Sequence, residues 1–356
     1  MIKERVENIQ KALPPHSAAL IASIPNRLYV TGFESSDGYV LITPDAAYFL
    51  IDFRYCEKAK QVVKSCEVRL LQRAMSEIAE LCGQHAVTTL YVKTGSTSMS
   101  QVALYRRSFE GVTVSDEALL DDLLTEMRSL KTAGEVELIK KAQEMTDRTF
   151  SYILDRIEAG RTERDVMLDM EFYMRRLGSE GVSFDFIVVS GKNSSLPHGV
   201  PTDKKIEKGD FVTMDFGAVV GGYHSDMTRT VAVGGVSPEQ EQVYNTVLKA
   251  QLAALDAVRP GIVCKDVDKV ARDIINGAGY EGRFGHGLGH GVGVEIHEAP
   301  NFNTRCETIL REGAIMTVEP GIYLEDKFGV RIEDMVWVTK DGCENLTASE
   351  KKLLIV

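Results

Sequence analysis

The sequence predicts two domains, an α/β domain over residues 1–130 and an α+β domain over residues 131–356. A chain of 356 residues corresponds to two domains at roughly 150 residues each. Over the first 130 residues, short strand-like runs alternate with helix-like runs, which is typical of an α/β domain. From Phe184 onward strand-like runs, glycines and histidines dominate, apart from one pair of helices, and this indicates α+β structure. The segment Leu130–Gly134 is the best candidate for the linker.

In the first domain, apolar residues at helical spacing predict a helix over residues 2–13, which Pro14-Pro15 ends. Two strand-like runs flank Thr43-Pro44-Asp45 and predict a β-hairpin. The predicted strands are Ala18–Ile21, Leu28–Val30, Gly38–Ile42, Ala46–Ile51, Val68–Leu71, Thr89–Val92 and Val112–Val114. The other predicted helices are Tyr55–Ser65, Met75–Cys82, one beginning at Ser98, and Leu119–Ser129.

The second domain is expected to open with a long amphipathic helix, Glu135–Glu158, ended by Gly160. Thr162 resembles an N-cap, because Asp165 three residues later completes a capping box, and its helix runs to Gly178. A later helix pair is predicted, and its members are Pro238–Val258 and Lys265–Gly277.

Composition excludes several classes of protein. The 41 basic and 52 acidic residues give a net charge of −11, with no basic run, so nucleic acid and anionic membranes are not expected as partners. The six cysteines have irregular spacing and form no CxxC, which is typical of reduced thiols in a cytoplasmic protein. We expect no signal peptide and no membrane span, because no apolar stretch approaches 18 residues.

Histidines are concentrated in the second domain. Of the seven in the chain, five fall within 100 residues beside many glycines, and these are His198, His224, His286, His290 and His297. Such clustering is unusual for a structural core and favours a functional site.

Two hairpins each offer a pair of carboxylates. A hairpin centred near residues 220–221 would place Asp215 opposite Asp226, and one centred near Asp326 would place Glu319 opposite Glu333. Like charges opposite each other destabilise a sheet unless a cation joins them. The alternative interpretation is that these residues lie on an exposed polar face. Their apolar neighbours argue against it, because they indicate buried hairpins.

Between the hairpins lies the glycine-rich run GHGLGHGVG, which allows His286 or His290 to project without competing side chains. Four carboxylates with one imidazole offer too many oxygens for structural zinc and suit two divalent ions bridged by a water. The oxygen-rich set favours Mn²⁺, with Co²⁺ or Zn²⁺ as substitutes. A dinucleotide-binding loop is the rival interpretation of this run, but no helical pattern follows it.

Five motifs in order resemble the Xaa-Pro peptidases, which include prolidase and aminopeptidase P. The motifs are LPHGVP (196–201), GDFVTMDFGAVVGGYHSDMTRT (209–230), GHGLGHGVGVEIHEAP (285–300), TVEPGIY (317–323) and GVRIED (329–334). NRLYVTGF (26–33) and FLIDFRY (49–55) resemble the N-terminal domain of the same peptidases. The resemblance implies a creatinase-like N-terminal domain, a pita-bread catalytic domain and, in many members, a homodimer.

The resemblance also implies residue roles. The five metal ligands of the family match Asp215, Asp226, His290, Glu319 and Glu333. Glu319 is implied to shuttle a proton as well, Arg331 to orient ligand carboxylates, and His198, His286 and His297 to lie on the substrate side, with His198 and His297 flanking the scissile amide.

The implied reaction is hydrolysis of the Xaa-Pro bond in a di- or oligopeptide by a water bridging the ions. A dipeptidase is favoured over an aminopeptidase P because the N-terminal domain is short. Against this, some prolidases carry a basic residue after the HE-x-P run, where this chain has Asn301, with Arg305 four residues further. A non-catalytic peptide-binding module is the more distant alternative.

Overall fold

The structure is a computed structural model that describes residues 2–356. Its contacts divide the chain into two compact units that separate between Arg128 and Ser129.

The N-terminal unit has six helices and six strands among its described residues. The helices are α1 (Ile2–Ala12), α2 (Ile24–Thr31), α3 (Phe53–Val62), α4 (Ala74–Gln84), α5 (Met99–Ser108) and α6 (Leu119–Ser129). The strands are β1 (Ser17–Ile21), β2 (Tyr39–Ile42), β3 (Ala47–Ile51), β4 (Glu67–Leu70), β5 (Thr89–Val92) and β6 (Thr113–Ser115). They form one sheet in the order β4-β3-β2-β1-β5-β6, in which β1, β2 and β3 pair antiparallel and the outer pairs are parallel.

One predicted strand of this unit is wrong. Residues Leu28–Val30 lie in the helix α2. Pro25 occupies the first turn of α2, where its fixed φ favours a helix start. Gly32 ends α2 with a φ of 67°, donating its N–H to the carbonyl of Leu28. Tyr29 and Val30 are buried on this helix. Aromatic and β-branched residues also favour strands, so their presence alone does not distinguish a buried helix face from a buried strand. The predicted β2–β3 hairpin is confirmed.

The C-terminal unit adds four α-helices and twelve strands. The helices are α7 (Ala133–Leu154), α8 (Glu163–Arg176), α9 (Pro238–Ala257) and α10 (Cys264–Gly277), and a 3-10 helix spans Gly191–Ser195. The strands before α9 are β7 (Ile187–Ser190), β8 (Phe211–Phe216), β9 (Val219–Val220), β10 (Tyr223–His224) and β11 (Met227–Ala232). Those after α10 are β12 (Gly289–Gly291), β13 (Glu298–Phe302), β14 (Ile315–Val318), β15 (Gly321–Leu324), β16 (Phe328–Arg331), β17 (Asp334–Val338) and β18 (Cys343–Asn345).

Helix α7 begins inside the predicted linker. Thr132 and Glu135 form a reciprocal capping box, so the helix starts at Ala133 and the extended connection is shorter than Leu130–Gly134. The predicted capping box of Thr162 and Asp165 at the start of α8 is confirmed, with the Asp165 amide 3.0 Å from the Thr162 hydroxyl.

Two antiparallel sheets organise this unit. One has the order β11-β8-β7 and shares an apolar cluster with α7 and α8. The other has the order β13-β12-β14-β17-β18, and its β14 and β17 share a second cluster with α9 and α10. Helices therefore cover one face of each sheet, and the other face can carry polar side chains.

Among residues 2–356, no helix has the length and apolar character that a membrane crossing requires.

Candidate metal centre and active site

The first hairpin differs from the predicted register by two residues. Val220 pairs with Tyr223, so the turn is Gly221-Gly222, and Asp215 faces Thr228 rather than Asp226. Both turn glycines have positive φ, 58° and 73°, as a two-residue type I′ turn requires. Asp226 precedes Thr228 by two residues, so the two aspartates are diagonal neighbours on one face instead of direct partners.

The second hairpin has the predicted register. Val318 pairs with Asp334 on one side and Gly321 with Arg331 on the other, which places Glu319 and Glu333 opposite each other between the two ladders. The glycine-rich run contributes β12, where His290 lies beside β13 and β14.

These elements bring carboxylates and one imidazole together. The Nε2 atom of His290 lies 3.5 Å from Asp226 Oδ2 and 3.4 Å from Glu319 Oε1. Possible ligand atoms of Asp226, His290 and Glu333 all lie within 4.8 Å of one another. The Nδ1 atom of His290 is 3.0 Å from the carbonyl oxygen of Gly291, so it carries the proton and Nε2 keeps a free lone pair facing the carboxylates.

The protein balances only part of the charge of this cluster, because Arg331 is paired with one carboxylate, that of Asp215. Burial, followed by repulsion from neighbouring carboxylates, raises the pKa of Asp226 and of Glu333 well above their usual ranges. Burial likewise raises the pKa of Glu319 to about 8, and it lowers the pKa of His290 to about 4. Within the described residues, the Oδ1 atoms of Asp215 and Asp226 are buried without a hydrogen-bond partner. Orphaned oxygens, crowded carboxylates and a neutral imidazole fit a divalent cation.

Arg331 reaches this cluster from β16. Its Nη2 donates to Asp215 Oδ2 at 2.7 Å, its Nε to the Thr228 hydroxyl at 3.0 Å, and its Nη1 to the Tyr323 hydroxyl at 2.8 Å. The Thr228 hydroxyl in turn donates to Glu333 Oε2 at 2.6 Å. Arg331 therefore fixes the orientation of one carboxylate directly and touches a threonine that holds another.

His286 lies beside this network and not among the clustered ligand atoms. Its Nε2 is 2.9 Å from the Tyr323 hydroxyl and its Nδ1 is 2.8 Å from the Gly287 carbonyl oxygen. Burial lowers its pKa to about 4, so the ring is neutral. With Nδ1 donating, Nε2 accepts from Tyr323, which itself accepts from Arg331.

A cleft of about 1030 Å³ opens over the cluster, and its lining includes His198, His286 and His297. His198 and His297 are exposed, and the His297 ring lies edge-to-face on His290 with centroids 4.4 Å apart. His224 is hydrogen-bonded through Nδ1 to the Ser183 hydroxyl at 2.9 Å and is absent from this lining.

Thr228 and Tyr323 lie in the site although the sequence did not select them. The type I′ signal of Gly221-Gly222 centres the hairpin between the two glycines, and that register alone would have placed Thr228 opposite Asp215. Tyr323 follows Glu319 by four residues, and no pattern in the sequence indicates that its hydroxyl joins His286 to Arg331.

The chain matches two family models, Metallopeptidase family M24 over residues 137–340 and Creatinase/Prolidase N-terminal domain over residues 5–129. The chain therefore belongs to metallopeptidase family M24 and is a metallopeptidase with a creatinase-type N-terminal domain and a pita-bread catalytic domain. This confirms the fold and the enzyme class predicted from the motifs, and membership of this family implies use of a divalent metal.

Relatives span the full length of the chain. It is 38% identical over 356 residues to a Xaa-Pro dipeptidase of Pyrococcus furiosus, covering 99% of this chain and 100% of that one. A solved Xaa-Pro dipeptidase from Bacillus anthracis superposes with a TM-score of 0.95 at 37% identity, covering 100% of both chains. A solved X-Pro aminopeptidase from Thermotoga maritima superposes with a TM-score of 0.91 at 37% identity, covering 98% of this chain and 100% of that one.

Proposed function

We propose that the chain is a Xaa-Pro dipeptidase that hydrolyses the peptide bond before proline with two divalent metal ions per subunit. The observation that carries this proposal is the uncompensated carboxylate cluster at the cleft, in a chain whose full-length relatives include proteins named Xaa-Pro dipeptidases. Its substrate is then a proline-containing dipeptide.

The residues that would hold the metal are Asp215, Asp226, His290, Glu319 and Glu333. Their oxygen-rich donor set favours Mn²⁺, and Co²⁺ or Zn²⁺ can substitute. When bound, such ions lower the pKa of a water molecule and so supply a hydroxide nucleophile near neutral pH.

The protein side chains handle the protons and the substrate. Glu319 accepts a proton from the attacking water and passes it to the departing proline nitrogen, and the Thr317 hydroxyl, 3.3 Å from Glu319 Oε1, orients that carboxylate. His198 and His297 are placed along the cleft to donate hydrogen bonds to the oxygen of the scissile carbonyl as it gains charge.

The other two residues act by orientation. Arg331 holds Asp215 with its carboxylate directed into the cluster, and His286 supports Arg331 through Tyr323. Both contacts fix geometry in advance, which reduces the reorganisation required when substrate binds.

An aminopeptidase P is the second candidate. Asn301 stands where some prolidases carry a basic residue that grips the carboxylate of a dipeptide, and the X-Pro aminopeptidase of Thermotoga maritima is as similar in sequence as the Bacillus anthracis dipeptidase. Arg305 supports the dipeptidase, because it lines the same cleft and can offer a guanidinium to that carboxylate. We also propose a cytoplasmic homodimer, from the thiol usage and the family resemblance.

The test uses the purified chain, stripped with EDTA and supplied with Mn²⁺, and offers Ala-Pro and Ala-Pro-Ala side by side while released alanine is measured. Cleavage of the dipeptide alone supports the proposal. Equal or faster cleavage of the tripeptide assigns the chain to the aminopeptidases. Bound Mn²⁺ with neither peptide cut supports a peptide-binding module instead.

A further inference from the structure

A second buried acid, Glu163, lies outside the carboxylate cluster and has no role in the proposed reaction. It is the first residue of α8, and its exposed fraction is 0%. Its Oε1 accepts hydrogen bonds from the Ser190 amide at 2.7 Å and from the Ser190 hydroxyl at 2.9 Å. Its Oε2 accepts from the Thr202 amide at 3.0 Å and from the Thr202 hydroxyl at 2.7 Å. Asn193 donates through Nδ2 to both oxygens, at 3.1 and 3.3 Å.

Ser190 and Thr202 are the two ends of one segment, residues 190–202, which we call the histidine loop because it carries His198, and Asn193 lies within it. Each oxygen of Glu163 holds one end of the loop, so the carboxylate acts as a cross-link between them. A buried carboxylate is costly unless its oxygens are fully hydrogen-bonded, and the loop supplies those donors. The loop and the carboxylate therefore stabilise each other.

The centre of the histidine loop is held by polar contacts, one to a side-chain hydroxyl and one to a backbone carbonyl. Ser194 accepts from the Gly329 amide at 2.9 Å, and Arg331 Nη1 donates to the Pro197 carbonyl oxygen at 3.2 Å. Two apolar side chains near His198 do not anchor the loop, because Leu196 is 57% and Val200 is 75% exposed, whereas Pro201 is buried where the loop ends. A segment with so few buried apolar contacts takes its position from its polar anchors.

We infer that Glu163 is a positioning residue for His198. The inference rests on the proposed function, in which His198 donates to the scissile carbonyl. Within residues 2–356, the hydrogen bonds of the Glu163 carboxylate reach none of the five proposed metal ligands and all go to the histidine loop. Because the loop also accepts from Arg331, which holds Asp215, bound Mn²⁺ is measured in every variant. Misplacement of a catalytic group by about 1 Å can cost on the order of 100-fold in rate.

The test is a double-mutant cycle on the full chain loaded with Mn²⁺ and assayed on Ala-Pro. The variants are Glu163→Gln, His198→Ala and both together. Glu163→Gln keeps the size of the side chain but directs an NH₂ group at donors on one end of the loop. We expect kcat to fall by about 10- to 100-fold, with bound Mn²⁺ unchanged, and no further loss when Glu163→Gln is added to His198→Ala.

A milder variant and a matched control accompany the cycle. Thr202→Val removes one hydrogen bond to Glu163 and is expected to lower kcat in the same direction but less, and it keeps the test available if Glu163→Gln fails to fold. Asp121 is the matched control, since it accepts from the Thr94 amide, the Thr94 hydroxyl and the Gly95 amide in the N-terminal unit. Asp121→Asn is expected to leave kcat unchanged.

The outcomes separate the inference from the proposed function. If Glu163→Gln lowers kcat by the same factor with and without His198, or leaves kcat unchanged, the positioning role is wrong while the peptidase stands. If His198→Ala itself keeps full kcat, the role proposed for His198 is wrong, and this inference with it. Loss of bound Mn²⁺ in Glu163→Gln would show that the residue supports the metal centre instead.

Discussion

Glu333 and Asp334 are consecutive buried acids with opposite surroundings. Asp334 accepts from Arg229 at 2.8 Å and from Lys351 at 2.6 Å, and although burial opposes it, these cations hold its pKa below the usual range. Glu333 has a hydroxyl partner, Thr228, and carboxylate neighbours, and burial with their repulsion raises its pKa well above the usual range. Asp334 is 0% and Glu333 is 1% exposed, so the two acids are equally buried and differ in how far nearby cations neutralise their charge.

Asp334 has a structural role, whereas Glu333 belongs to the candidate metal centre, and their hydrogen-bond partners distinguish them. Asp334 also accepts from Gln251 at 3.0 Å and from Asn345 at 2.8 Å, so its oxygens are satisfied by the protein alone. The cluster that contains Glu333 has orphaned oxygens and needs more positive charge than Arg331 alone supplies. Incomplete neutralisation of buried carboxylates, and not burial itself, therefore distinguishes the site.

Asp226→Asn is expected to have the largest effect on activity. Removing one carboxylate from the uncompensated cluster should abolish Mn²⁺-dependent hydrolysis, by on the order of 10⁴-fold in kcat, as for one member of a catalytic unit. The fold should persist, because like-charge repulsion is relieved, and circular dichroism checks this. Full activity with Mn²⁺ in this variant would contradict the two-metal proposal.

Asp334→Asn should lower the stability of the fold, in contrast to Asp226→Asn, which should keep the fold and lose activity. Asp334→Asn leaves the guanidinium of Arg229, 1% exposed, without its anionic partner, and breaking a buried pair in this way costs about 3–5 kcal/mol. Urea unfolding measures the change in the free energy of unfolding. A loss below about 1 kcal/mol would show that this pair is not a structural element.

Metal removal distinguishes the two regions without mutation. Each Mn²⁺ site filled at 100 times its dissociation constant should raise the free energy of unfolding of the stripped protein by about 2.7 kcal/mol. Asp226→Asn should lose most of this gain, and a thermal melt at fixed Mn²⁺ concentration compares the two. Equal stabilisation of both proteins would place the metal elsewhere.

The smallest expected effect is the pH dependence of the metal-free protein. Glu319 has a pKa of about 8 in the folded protein against an ordinary 4.5, so the folded state holds more protons between these values and stability falls as pH rises through them. His286 and His290, lowered from 6.5 to about 4, act oppositely but only below pH 6.5. From pH 6.5 to 8 the free energy of unfolding should fall by on the order of 1 kcal/mol per pH unit. A rise over that range, measured by urea unfolding, would contradict this.

The sequence predicted most of the fold and the positions of the carboxylates because hairpin registers are short-range. The predicted Glu319–Glu333 register is correct, while the predicted Asp215–Asp226 register is wrong by two residues because the turn lies at Gly221-Gly222 and not at residues 220–221. The strand predicted at Leu28–Val30 failed because a buried helix face has the same apolar character.

Long-range hydrogen bonds lay beyond the sequence. Glu163 holds residues 27 and 39 positions away, and no periodicity connects it with Ser190 or Thr202. The Tyr323 link between His286 and Arg331 likewise depends on three elements meeting, which pairing rules for adjacent strands do not specify.

The most direct test of the central claim is calorimetric titration of EDTA-stripped protein with Mn²⁺, on the wild type and on Asp226→Asn. We expect two ions bound per chain for the wild type and a loss of at least one in the variant. No binding by the wild type, or equal binding by both proteins, would contradict it.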